Sequence, residues 1–308
     1  MSYSLPSLNE NLCLTVFNEV IFNCKINMSN YHQYAGTYRI GGEIEINRLG
    51  YGGMQLTGQG VWGDAPDREN AKKVLRAAVD AGVNFVDTAD SYGPHTNETL
   101  IADALSPYPK DLLIATKGGF ERTGPNQWRV NGNPEHIRQA IEGSLKRLKK
   151  DVIDLWQLHR IDSRFPVEET LGPVVDAVKA GKIRYVGLSE VDVGQIKRAE
   201  KTVPIVSVQN LYNLGNRQWE DVLDYTLEQN MAFIPWYPLA SGPEKLKNKI
   251  SGIAEKHHAT TAQIALAWLL KRAPNILLIP GTSSLKHLEE NLQGGNIRLS
   301  DEDFKALS

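Results

Sequence analysis

From about residue 37 onward, short runs rich in Val, Ile and Leu alternate with amphipathic stretches of helical period, a repetition that few folds can absorb. The runs are RLGYGGMQL (48–56), VNFVD (83–87), DLLIATK (111–117), VIDLWQLH (152–159), IRYVGLS (183–189), IVSVQN (205–210), AFIPW (232–236) and ILLIP (276–280). Alternation of this kind marks βα units with parallel strands. Eight such units in about 250 residues predict an α/β fold, a single-domain (β/α)8 TIM barrel. A doubly wound sheet is the alternative, but GYGGMQ does not have the G-x-G-x-x-G spacing that a dinucleotide turn after the first strand requires.

The stretches between the runs read as helices. Ala71, Val74, Leu75, Ala78 and Val79 recur at helical spacing behind Asp67, a candidate N-cap. Asn133 and Pro134 open another helix, with Ile137, Ile141, Leu145 and Leu148 on one face. TTAQIALAWLLKR is apolar on most sides and should be well buried. TYRIGGEIEIN (37–47) alternates around Gly41-Gly42 and is expected to form a β-hairpin that closes the bottom of the barrel. Residues 37–308 are thus the expected barrel and 1–36 an extension of unclear role, disordered or upstream of a true start at Met28.

A formal charge of −2 with no long block of one sign argues against nucleic acid or membrane as a partner. LKRLKK (145–150) is expected to be the solvated end of a helix, where cations favour the dipole. No stretch approaches the roughly 18 to 20 apolar residues that cross a bilayer, so the chain should be soluble. NLCLTVFNEVIF lacks a basic leader and contains Asn11, Asn18 and Glu19, so it does not read as a targeting signal. Cys13 and Cys24 both lie in the extension; a reducing cytoplasm fits, and a disulfide between them stays open. No metal is expected.

In a barrel, the reacting groups gather at the C-terminal ends of the strands. Asp87 ends the second run, Lys117 the third and His159 the fourth, and Tyr92 lies just past the second. Each alone has an ordinary explanation as a cap, a snorkelling lysine, a satisfied core histidine or a packed aromatic. On neighbouring strands at one face they are expected to form a site. Lys117 beside Tyr92 should favour the phenolate and lower the tyrosine's pKa from ~10. Asp87 should keep Lys117 charged and aimed, and His159 can donate to a substrate carbonyl oxygen. These groups suit proton delivery to a carbonyl oxygen while a hydride, which no side chain supplies, arrives from a cofactor.

With VDTADSYG, IATKGG, DLWQLHR, GLSE, SVQN and IPGTSSLKHLEEN in this order, the chain resembles the aldo-keto reductases over roughly residues 37–307. The resemblance implies a catalytic tetrad of Asp87, Tyr92, Lys117 and His159, with Tyr92 as general acid, and NADP(H) extended across the barrel mouth. Ser189 and Gln209 would then hold the nicotinamide carboxamide, while Glu190 stands where many members have Asn. Trp236 takes the position that stacks on the nicotinamide, followed by Tyr237, Pro238 and Leu239, and Gly53 and Met54 approach the ribose. Asp87 also counts among the cofactor contacts. Gly281 and His287 stand where many members carry basic residues for the 2′-phosphate. Gly281, Thr282 and Ser283 lead into a helix N-terminus that can bind phosphate, with Lys286 as a cation, so NADPH is the expected cofactor and NADH a secondary one. Glu290 and Asn291 match the adenine contacts.

The substrate pocket is expected among Tyr92, His159 and the loops after strands one, three and seven, with Trp62 and Trp128 either walling it or packing those loops. The closing segment and GYGGMQLTG look most like a bacterial branch that includes pyridoxal reductases, which makes pyridoxal a candidate substrate. The expected partner is a small carbonyl compound, and the protein a monomer or small homo-oligomer. Two other classes stay open: an NADPH-binding regulatory protein with slow turnover, resembling potassium-channel β-subunits, and an aldolase using Lys117 as a Schiff base. Asp87 argues against the aldolase, which needs a neutral lysine.

Overall fold

The structure, a computed structural model, describes residues 35–239 and 242–308 of the chain. Most of the expected extension, with Cys13, Cys24 and Met28, lies outside the described residues. Among these residues, no helix is long and apolar enough to cross a membrane.

Two strands open the described chain, β1 (Thr37–Ile40) and β2 (Ile44–Asn47), paired antiparallel. Seven parallel strands follow: β3 (Tyr51–Gly52), β4 (Phe85–Asp87), β5 (Leu113–Gly118), β8 (Ile153–Leu158), β9 (Ile183–Ser189), β10 (Ser207–Gln209) and β11 (Ala232–Phe233). Between β5 and β8 lies an antiparallel pair, β6 (Phe120–Gly124) and β7 (Gln127–Val130). The expected eighth strand makes bridges instead of a regular ladder. Leu277 N donates to Phe233 O at 2.9 Å on one side, and Gly50 N to Leu278 O at 2.8 Å on the other. Those bonds close the sheet into a ring.

Closure brings two backbones together with no room for side chains. A Cβ on Gly52 would stand 2.5 Å from the Ile279 carbonyl oxygen, and one on Gly281 would stand 2.6 Å from that of Gly52. Glycine at both positions is therefore a steric requirement of the seam.

The helices cover the outside: α1 (Arg68–Asp80), α2 (Thr96–Leu105), α3 (Pro134–Leu148), α4 (Val167–Lys179), α5 (Val193–Ala199), α6 (Glu220–Glu228), α7 (Glu244–Lys256), α8 (Thr261–Arg272), α9 (Leu285–Gln293) and α10 (Asp301–Leu307). Asp67 caps α1 by accepting from Asn70 N at 2.9 Å, and Asn133 caps α3 by accepting from Glu135 N at 2.9 Å. Ala71, Val74, Leu75 and Ala78 of α1 are buried, while Val79 is only partly so. Helix α8 is buried from Gln263 to Leu270. The end of α3 departs from the solvated face expected of LKRLKK: Arg147 Nε donates to the fully buried Glu98 at 2.7 Å.

Two apolar clusters result, one between strands and helices and a smaller one inside the barrel. Ile40 and Ile46 of the hairpin join the inner cluster with Phe85, Leu113, Leu155 and Ile234. Hairpin side chains bind the N-terminal ends of the strands: Glu43 accepts from Arg184 at 2.9 Å and from the Tyr185 hydroxyl at 2.7 Å. The hairpin thus plugs the bottom and leaves the C-terminal mouth for the site.

Candidate active site

Five neighbouring barrel strands each deliver a polar side chain to the mouth. Asp87 ends β4, Lys117 is the next-to-last residue of β5, His159 follows β8, Ser189 ends β9 and Gln209 ends β10. The register sets Asp87 against Ala115 and Lys117 against Gln157, so neighbouring strands place these groups at similar depth. Tyr92 follows β4 in a turn in which Asp90 N donates to Lys117 O at 3.1 Å.

Lys117 is the centre of the arrangement. Its Nζ donates to Asp87 Oδ2 at 2.6 Å, to the Thr88 carbonyl at 2.8 Å and to the Tyr92 hydroxyl at 3.3 Å. Asp87 Oδ1 accepts from Gln209 Nε2 at 2.9 Å and from Gln157 Nε2 at 3.2 Å. Burial disfavours the ammonium, but the charge of Asp87, the field of Tyr92 and the hydrogen bonds to both outweigh it and hold the Lys117 pKa above its ordinary value. A permanently charged lysine is a poor Schiff-base nucleophile, which weighs against the aldolase alternative.

Tyr92 corrects the expectation of a lowered phenol. Its pKa is raised, because burial is the largest influence; Lys117 pulls it down, and Asp87 adds to the upward push. The residue keeps its proton at neutral pH, as a proton donor must. His159 moves the other way: burial, then the cations Lys117, Arg160 and Arg122, hold the imidazole well below its ordinary value. It is a neutral donor and acceptor, with Nδ1 3.4 Å from Ser91 Oγ.

These groups face a cavity of about 540 Å³. Its wall includes Asp87, Tyr92 and His159, together with Met54, Ser189, Gln209, Trp236, Tyr237, Pro238, Leu239 and Gly281. Trp128 also lines it, on the β6–β7 hairpin, with its ring centroid 6.5 Å from that of Tyr92 and 6.4 Å from that of His159. Trp62 is not part of this wall. It lies beneath the Arg122 guanidinium at 5.7 Å, and the same guanidinium sits 3.6 Å from the Trp128 ring. Arg122 also donates to the carbonyls of Gly60, Val61 and Ser91. It fastens the hairpin to the loop after β3, a role invisible in FERTG.

The aromatic shelf has its own support. Glu190, at φ +54°, accepts from Trp236 Nε1 at 2.7 Å and from Leu211 N at 2.5 Å, which fixes the indole. Tyr237 is 65% exposed beside it. Gly53 is buried, and its carbonyl accepts from Asn97 at 2.9 Å. Across the mouth, Ser284 caps α9, and Thr282 Oγ1 accepts from Ser284 N at 3.0 Å. Ser283, Lys286 and His287 are exposed along the start of this helix, and Asn291 is buried. Glu290 accepts from Thr260 at 2.8 Å. Among the described residues, no cluster of three or more His, Cys, Asp or Glu could hold a metal ion.

Comparisons with known proteins bear on the family and the fold. A model of the aldo/keto reductase family matches residues 48–308. An oxidoreductase of Schizosaccharomyces pombe described as uncharacterized is 48% identical over 274 residues, covering 89% of each chain. Pyridoxine 4-dehydrogenase of Escherichia coli is 40% identical over 272 residues, covering 86% of this chain and 95% of the relative. Among solved structures, an aldo-keto reductase from Klebsiella pneumoniae in complex with NADPH superposes with a TM-score of 0.74 at 27% identity, covering 89% of this chain and 94% of that one. The chain belongs to the aldo/keto reductase family and is an oxidoreductase.

Proposed function

We propose that the protein reduces aldehydes or ketones to alcohols with NADPH, Tyr92 giving the proton. The observation that carries this reading is that Tyr92, Asp87 and His159 line a single cavity, with the buried Lys117 ammonium bonded to Asp87 and Tyr92. NADPH, when bound, supplies the hydride. The chain's residues do the rest. Neutral His159 donates to the carbonyl oxygen and orients it, and the Tyr92 phenol transfers its proton as negative charge develops there. The Lys117 ammonium, 3.3 Å from the phenol oxygen, stabilises the phenolate left behind.

The mouth fits the cofactor. Trp236, held by Glu190, and the Tyr237 ring tilted 54° from it offer aromatic surface for the nicotinamide, with Pro238 and Leu239 continuing it. Ser189 Oγ and the Gln209 amide, both lining the cavity, are the groups proposed to hold the carboxamide, with Gly53 and Met54 proposed for the ribose. The free N–H groups at the start of α9, with Gly281, Thr282, Ser283, Lys286 and His287, suit a phosphate, and Glu290 and Asn291 the adenine. Lys286 and His287 are a weak clamp beside an arginine fork, so NADH is proposed as a secondary cofactor. Pyridoxal is the candidate substrate, supported by the similarity to the pyridoxine enzyme of Escherichia coli. A barrel of residues 37–308 preceded by a separate extension, a cytoplasmic location, and a monomer or small homo-oligomer belong to the same proposal.

The test is an NADPH-oxidation screen over pyridoxal, methylglyoxal and nitrobenzaldehyde, repeated with NADH. Turnover with at least one aldehyde is expected. Tight NADPH binding with no turnover on any of them would favour a regulatory binding protein instead.

A further inference from the structure

The DLWQLHR motif contributes His159 to the tetrad, but its last residue has no part in that chemistry. Arg160 is partly buried and lines the same cavity. Its Nη1 donates to the His159 carbonyl at 2.5 Å and to Ser189 Oγ at 3.0 Å, and its Cζ lies 5.6 Å from the centre of the Phe120 ring. A guanidinium carries five N–H donors. Among the described residues, Nε and Nη2 of Arg160 find no hydrogen-bond partner, and no carboxylate oxygen lies within the 4.0 Å of an ion pair. Glu190 is the acidic group whose field reaches it, and that carboxylate accepts from Trp236 Nε1 and Leu211 N instead. Arg122 nearby makes a useful contrast, since its guanidinium is spent on the carbonyls of Gln127, Val61, Ser91 and Gly60.

A partly buried cation left without an ion-pair partner in an aromatic pocket is costly unless a ligand completes it. We propose that Arg160 is the subsite for an anionic oxygen, carboxylate or phenolate, that the substrate carries close to its reacting carbonyl. The placement sets the spacing. Arg160 is next in the chain to His159, and its Cζ and the His159 ring lie 5.6 Å and 4.6 Å from the same Phe120 ring, so a carbonyl oxygen held by His159 and the anionic oxygen must be only a few bonds apart. Aldehydes bearing an ortho carboxylate or phenolate meet that requirement, and pyridoxal with its ring oxygen beside the aldehyde is of this class. Guanidinium pairs with such oxygens through charge-assisted, often bidentate bonds. The identity of the reacting group rests on the reductase reading, whereas the anion subsite rests on the cavity itself.

Two measurements on the full chain separate these. In the first, benzoate and benzamide are titrated against the tryptophan fluorescence of the parent, Arg160→Met and Arg160→Lys, with thermal melts to show that each variant is folded. Benzoate is expected to bind the parent at least ~10-fold more tightly than benzamide, a preference lost in Arg160→Met and partly kept in Arg160→Lys. Equal preference in the parent and Arg160→Met, or none in the parent, overturns the proposal. In the second, kcat/KM is compared for 2-carboxybenzaldehyde, salicylaldehyde above its phenol pKa, and benzaldehyde. The ratio of each anionic aldehyde to benzaldehyde is expected to fall ~10-fold or more in Arg160→Met, through KM. A fall for one anionic aldehyde alone identifies which source of the oxygen the site takes. Anion binding that depends on Arg160 in a protein that turns over no aldehyde would uphold the subsite and refute the reductase reading.

Discussion

Lys117 Nζ stands 2.6 Å from Asp87 Oδ2 with both side chains buried, and the carboxylate helps to hold the lysine charged. Asp87→Asn keeps the shape and removes the counter-charge. Breaking a buried pair from one side costs about 3 to 5 kcal/mol. The variant should therefore be less stable to urea by an amount of that order, and its kcat should fall because Lys117 no longer supports Tyr92 as a cation. Unchanged stability and turnover would mean that the pair is not coupled as the geometry implies.

The carboxyl of Asp90, two residues before Tyr92, is the next group to follow. Burial, and then the charge of Glu98, push it up to about 8 from 3.8, with Arg147 pulling the other way, and its Oδ1 has no hydrogen-bond partner. Between those two values the folded state holds a proton that the unfolded state has released, so this contribution to stability is present at low pH and is lost as pH rises toward about 8. Asp90→Asn removes the titration. Its melting temperature should exceed the parent's at about pH 8 by roughly 3 °C or more, with the gap closing toward pH 4. A constant gap across that range would contradict the assignment.

His159 works in the opposite sense. Its folded pKa lies well below 6.5, so below that pH the unfolded state takes up a proton that the folded state refuses, and stability falls as pH drops. His159→Asn should flatten the acid arm of the melting curve below about pH 6.5. The parent's kcat/KM should show no histidine limb at pH 6 to 7, since the imidazole is already neutral there; a limb at ~6.5 would show that the cavity leaves it unshifted.

Glu190 should govern cofactor affinity without touching the proton chemistry. Removing its carboxylate frees the Trp236 indole and the Leu211 amide. Glu190→Ala is expected to raise KM for NADPH by roughly 5- to 20-fold, a loss of about 1 to 2 kcal/mol in shelf rigidity, while kcat changes less. A lower kcat at unaltered KM would place Glu190 in the chemistry and not under the shelf.

Much of this was legible in the chain. The strands recur as apolar runs that end in Asp87, Lys117 and His159, and period and polarity both survive in sequence. Boundaries were less clear: the 205–210 run shortens to Ser207–Gln209, and the 276–280 run pairs by bridges, because ladder length depends on neighbours that no local pattern encodes. Nothing local marks the β6–β7 hairpin, since FERTGPNQWRV has no clean alternation and Arg122 ties its two strands to each other and to the loop after β3. Nothing local marks Arg48 either. It is buried under the barrel and donates to the carbonyls of Ala35, Leu270, Ala273 and Ile276, contacts far apart in sequence. The direction of the Tyr92 shift was also out of reach, because the sign turns on burial against a single neighbouring charge.

The central claim is that the Tyr92 phenol delivers the proton. Tyr92→Phe removes the hydroxyl that Lys117 contacts at 3.3 Å and leaves the ring in place. With an aromatic aldehyde, NADPH oxidation by this variant should fall by about 10²- to 10⁴-fold, while NADPH binding, followed by tryptophan quenching, stays near the parent's. Turnover equal to the parent's would contradict the account.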